Sequence, residues 1–148
     1  MTMERDAIME LLPHRPPFLM VDRLVDVAPG QRAVGEHEVR EDAFWTAGHF
    51  PGNPVMPGVL IAEALAQVAA LIHLTAHPEA AGSTVLLAGM DKLRFRKPVR
   101  PGDTLRLEVE AVGSRRGIYR FEAQALVEGQ RVANGQFIAA VAEPAGEG

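Results

Sequence analysis

The sequence predicts an α+β domain in which a curved, mostly antiparallel sheet wraps one long apolar helix. Three observations carry that expectation. Residues 57–76 form a run rich in Ala, Leu and Ile that is apolar on every side. Residues 84–141 hold four stretches rich in strand formers, separated by turn residues. A helix without a polar face must be covered all round, and a sheet is the layer available to cover it.

Each element follows from local chemistry. Residues 5–12 read as a short helix with Ile8, Leu11 and Leu12 on one side, stopped by Pro13. After the turn-like run from His14 to Pro17, residues 18–27 and 31–40 read as a hairpin of two strands about Pro29-Gly30. Residues 44–58 carry Pro51, Pro54 and Pro57 with Gly48, Gly52 and Gly58 among them. Such a segment makes neither a regular helix nor a central strand, so it is a stiff loop. Pro57 suits the first position of the long helix, and His77-Pro78 ends it. Residues 84–95, 104–112, 118–128 and 130–141 are the remaining strands, with turns at Pro101-Gly102-Asp103, Arg115-Arg116-Gly117 and Glu128-Gly129.

Composition narrows the function. A length of 148 residues suits one domain, 1–148, with residues 143–148 as a frayed tail. The chain has no cysteine, which removes disulfides, thiolate metal sites and a cysteine nucleophile, and fits a reducing compartment. Its net charge of −4 argues against general nucleic-acid binding. The opening residues hold Glu4, Arg5, Asp6 and Glu10 and no long apolar run, so no secretion signal is expected. Residues 55–76 are long and apolar enough to span a bilayer, but Glu63 lies well inside them. A carboxylate near mid-membrane costs at least about 2.5–3.5 kcal/mol, so a helix buried in a protein core is the better reading.

Four features could carry chemistry. Glu63 and Gln67 are four apart on the long helix, and so share a face. A carboxylate in apolar surroundings is a candidate general acid. It could equally reach solvent at the helix edge. His49, in Gly48-His49-Phe50-Pro51-Gly52, titrates near neutrality and sits in the proline-stiffened loop. Loop histidines also serve as plain surface or hydrogen-bonding residues. The other four histidines have no comparable setting, and His14 is expected to be structural, fixing the turn before the first strand. Gly58 lies in the first helical turn, where free N–H groups and the helix dipole could hold an oxyanion; it could also merely relieve packing after Pro57. Residues 92–100 carry five cations and no acid, with Lys92, Arg94 and Arg96 on one face of a strand and Leu93 and Phe95 on the other. Such a patch could dock an acidic partner or be a solvated face. No histidine pair has metal-site spacing.

Three ordered blocks resemble a known family. The run from Gly48 to Gln67, GHFPGNPVMPGVLIAEALAQ, looks like the active-site block of the bacterial β-hydroxyacyl-acyl-carrier-protein dehydratases. Leu11 to Arg23, LLPHRPPFLMVDR, and Met90 to Val99, MDKLRFRKPV, followed by Pro101-Gly102-Asp103, are similar to the same family. The resemblance implies a hot-dog fold, dimers that often assemble as trimers of dimers, and a cytoplasmic enzyme. It implies dehydration of (3R)-3-hydroxyacyl thioesters on acyl carrier protein during fatty acid synthesis, with no metal or cofactor. The family's histidine falls on His49, its glutamate on Glu63 and its thioester-binding N–H on Gly58. Gln67 is expected to orient Glu63 or a water. Arg94, Arg96, Lys97 and Arg100 are the expected carrier-docking cations. A related branch that also isomerises has aspartate at the acid position, so Glu63 points to the dehydratase-only branch. The family often has, at the positions of Leu86 or Leu87, a tyrosine or other aromatic that can gate the acyl tunnel, and this sequence departs from that pattern with leucine at both. The family pairs the histidine of one subunit with the glutamate of its partner. A hot-dog acyl thioesterase and a non-catalytic acyl-chain binding module are the rival readings.

Overall fold

The computed structural model describes residues 1–142. The element order is α1 (Arg5–Leu11), β1 (Arg23–Ala28), β2 (Arg32–Glu38), α2 (Gly58–Ala76), a 3-10 turn (Pro78–Ala80), β3 (Thr84–Phe95), β4 (Thr104–Arg115), β5 (Ile118–Val127) and β6 (Gln130–Ala142). The strands form one antiparallel six-stranded sheet in the order β1-β2-β4-β5-β6-β3. The expectation for residues 143–148 lies outside the described residues.

The sheet curls around α2 because its inner face is apolar and its strands are bent. On β4, Leu105, Leu107 and Val109 are buried while Arg106 and Glu110 are exposed, so every second residue faces the helix. Phe121, Ala123 and Ala125 do the same on β5. Each large apolar side chain withdrawn from water on this face contributes about 1.5–3 kcal/mol. Register shifts at Leu24/Asp26, Leu87/Gly89, Asp91/Arg94, Ala111/Gly113 and Ala125/Leu126 bend the strands. Gly35 lets α2 come close to β2, since a side chain there would stand 3.0 Å from Val68.

Helix α2 passes the length and hydropathy test for a membrane span, yet most of it is buried within the protein. The side its own sheet leaves partly uncovered carries Val59, Glu63, Ala66 and His73, spaced as one helical stripe.

Two expectations needed correction. The first strand begins at Arg23, not at residue 18. Ahead of it, Leu19 N–H bonds back to Arg15 and Met20 N–H is taken by a side chain, so no ladder starts there. In the basic segment, Arg96 lies beyond the end of β3 at Phe95. Lys92 is in the left-handed region (φ 53°) at a register shift, so simple alternation across residues 92–96 does not hold.

Candidate active site

Glu63 is held by contacts that reach across the fold. The Gln67 amide nitrogen donates to Glu63 Oε2 (3.0 Å) and to the Phe18 carbonyl (2.9 Å). Its oxygen accepts from Met20 N–H at 2.8 Å. Gln67 is 1% exposed, so each of its polar atoms is satisfied inside the protein. The Glu63 side chain is 24% exposed and lines a groove of about 370 Å³ between α2 and the inner face of β3 and β6. Leu86 and Leu87 line the same groove, as do Phe18 and Phe137.

His14 is in this groove too, with Nε2 3.6 Å from Glu63 Oε2. The sequence reading made it a residue of the turn alone and missed this contact. Its place within the Leu11–Arg23 block was the available signal.

His49 is fixed locally. Its N–H donates to the Trp45 carbonyl (2.9 Å) and its carbonyl accepts from Val55 N–H (2.7 Å). Trp45 and Met56 are buried, and Met56 N–H donates to the Val99 carbonyl at 2.7 Å, so the loop is pinned at both ends. The imidazole stacks on Phe50 with ring centroids 4.0 Å apart. Its Nδ1 lies 2.6 Å from the Val55 carbonyl oxygen. A carbonyl can only accept, so Nδ1 carries a hydrogen, and in the neutral ring the lone pair is on Nε2. That is the tautomer a general base needs. Among the described residues, His49 makes no hydrogen bond or ion pair with Glu63 of the same chain and does not line its groove.

Gly58 is the first residue of α2, and Pro57 offers no side-chain cap. The Pro57 carbonyl accepts from Leu60 and Ile61 N–H, while Gly58 N–H has no partner among the described residues. A methyl group at Gly58 would lie 2.9 Å from the Phe95 ring, so glycine is also what lets that ring pack.

The charged side chains of four residues in the basic segment have only uncharged partners. Arg94 donates to the Leu93 carbonyl, Arg96 to Asn134, Lys97 to Gln130 and Arg100 to Asn53. Among the described residues none of the four is in an ion pair, although five arginine or N-terminal ion pairs occur elsewhere. No three His, Asp or Glu side chains among the described residues converge as a metal site requires.

A curved antiparallel sheet around a central apolar helix, with a half-buried carboxyl in a groove beside that helix, defines a hot-dog protein. The fold is shared with the dehydratase heterocomplex ApeI:P from Xenorhabdus doucetiae, at a TM-score of 0.78 and 17% identity over 92% of this chain and 91% of that one. Residues 12–136 match the FabA-like domain, and the chain belongs to that family. The 3-hydroxyacyl-[acyl-carrier-protein] dehydratase FabZ of Chloroflexus aggregans is 54% identical over 93% of this chain and 94% of its own. The protein of the same description from Thermomicrobium roseum is 50% identical over 96% and 95%.

Proposed function

We propose that the chain dehydrates (3R)-3-hydroxyacyl thioesters on acyl carrier protein to trans-2-enoyl thioesters in fatty acid biosynthesis, in the cytoplasm and without a cofactor. The observation that carries the reading is the pair of prepared groups: an imidazole with its lone pair on Nε2 and a carboxyl oriented by Gln67. His49 Nε2 takes a proton from C2. The electrons move onto the thioester oxygen, which Gly58 N–H receives at the positive end of α2. Glu63, in its protonated form, delivers its proton to the C3 hydroxyl; the electrons return from the thioester oxygen to form the C2–C3 double bond as the C3–O bond breaks and water leaves. Proton exchange with water then returns His49 to neutral and Glu63 to the acid form.

In this reading the two groups meet across the interface with a second subunit. The uncovered stripe of α2 and the exposed Leu86, Leu87 and Met90 of the edge strand β3 favour a homodimer in which the partner's loop faces Glu63. Trimers of dimers are the assembly the family resemblance implies. Arg94, Arg96, Lys97 and Arg100 keep their charge available for an acidic carrier protein.

The test uses a crotonyl thioester. Hydration is the reverse reaction, and it removes the ultraviolet absorbance of the conjugated enoyl group without releasing thiol. That outcome is expected. Release of free thiol would mark an acyl thioesterase, and no change in either signal would mark an acyl-chain binding module.

A further inference from the structure

Beside Glu63, the groove is lined by one other titratable side chain among the described residues, His14. Its Nδ1 is buried with no hydrogen-bond partner, while its Nε2 faces Glu63 Oε2 at 3.6 Å. A proton on Nδ1 would bury an unpaired donor; a proton on Nε2 points at a carboxyl oxygen. The Nε2–H tautomer therefore fits the site. The Gln67 amide nitrogen approaches the same Oε2 at 3.0 Å. Both donors thus converge on one oxygen of Glu63, and Oε1 receives none among the described residues.

We propose that His14 is a positioning residue for Glu63: with Gln67 it holds Oε2, so that Oε1 is the oxygen that carries the proton to substrate. This rests on the reading of Glu63 as the acid. A separation of 3.6 Å is longer than a hydrogen bond, and catalytic contacts of this kind tighten in the reacting complex. The His14 ring is held for the purpose. It lies at 11° to the Phe18 ring with centroids 6.5 Å apart. The Arg15 guanidinium donates to the carbonyls of Met9, Leu12 and His14, tying this segment to the end of α1. The same segment supplies the Phe18 carbonyl and Met20 N–H that fix Gln67. Residues 14–20 therefore grip both donors as one unit. Among the described residues no other titratable side chain lines the groove.

The test compares three substitutions on a small 3-hydroxyacyl thioester mimic. The amide nitrogen of His14→Gln falls near the Nε2 position, and that of His14→Asn near the Nδ1 position, out of reach of Glu63. His14→Asn and His14→Ala are expected to lower kcat by about tenfold to a hundredfold with KM within about twofold, while His14→Gln stays within about threefold of wild type. Equal losses in the Gln and Asn variants would mean a role in shape alone and overturn the proposal. So would an unchanged kcat in His14→Asn, or a rise confined to KM. Unfolding midpoints are read for all three, and if His14→Ala does not fold, the Gln and Asn pair decides. A wild type without hydration activity, or an active Glu63→Gln, would break the functional reading instead. An active wild type, a dead Glu63→Gln and an unchanged His14→Asn would break only the role of His14.

Discussion

The two halves of the candidate site are built in opposite ways. Glu63 sits on a buried helix, and the amide that orients it bonds to backbone 47 and 49 residues away. His49 sits on an irregular loop, and the groups that fix it, at Trp45 and Val55, lie within six residues. The acid is held by tertiary packing and the base by local chain geometry. Damage should therefore spread differently from each half. Changes around Glu63 touch the core, whereas changes at His49 leave the core intact.

The largest effect tests whether both halves do chemistry. Glu63→Gln keeps the shape and His49→Ala spares the core, and each should cost at least about a hundredfold in turnover. Circular dichroism should show both folded. Near-normal turnover in either folded variant removes that residue from its role.

Mixing the dead variants asks whether the halves come from different chains. His49→Ala and Glu63→Ala subunits, unfolded and refolded together, pair at random, so about half the dimers are mixed. In a shared-site dimer each mixed pair holds one intact site, and about a quarter of wild-type activity should return. No recovery despite proven mixing would put each site within one chain.

Gln67→Ala attacks the tertiary grip itself. Met20 N–H and the Phe18 carbonyl would lose their buried partner, at a cost of about 1–3 kcal/mol. Urea unfolding should show that loss together with lower turnover. Truncating His49 deprives only the Val55 carbonyl of its ring partner, so it should cost less stability than Gln67→Ala. A fully stable Gln67→Ala variant would erase the contrast between the two halves.

Reversing Arg94, Arg96 and Lys97 to glutamate should raise KM for carrier-bound substrate while sparing small thioesters. Added salt should weaken the carrier-bound reaction of the wild type, because exposed charges are screened beyond about 8–10 Å. Equal effects on both substrates would instead report a folding defect.

The smallest effect is expected at the far end of α2, away from both halves. Burial, helped by the nearby His77, holds the His73 pKa below its ordinary 6.5, against the pull of Glu79. The unfolded chain then binds the proton more readily. The stabilising contribution is full above about pH 6.5 and is lost as pH falls toward the folded-state value. The urea midpoint should drop slightly on acidification, and His73→Gln should flatten that slope. An unchanged slope in the variant would remove His73 from the account.

Much of this protein was determined by its sequence alone. The mostly apolar composition of α2 required a wrapping sheet, and proline and glycine set the loop that carries His49 and the turns between strands. Period-two patterns placed β3 to β6 to within a few residues. These features depend on neighbours in the chain, and so they are visible in a linear string. The setting of Glu63, by contrast, comes from contacts between distant segments. The Gln67 contacts to Phe18 and Met20, and the approach of His14, join segments with no shared local pattern. They also explain why residues 18–22 are not strand, although their side chains favour it: part of their backbone bonds to a glutamine on the helix instead of to a neighbouring strand. Likewise the bulge at Lys92 depends on how β3 meets β6, a register that no alternation within β3 encodes. Local propensity is a sum over adjacent residues, whereas a buried amide chooses its partners from whatever the packed fold brings within 3 Å.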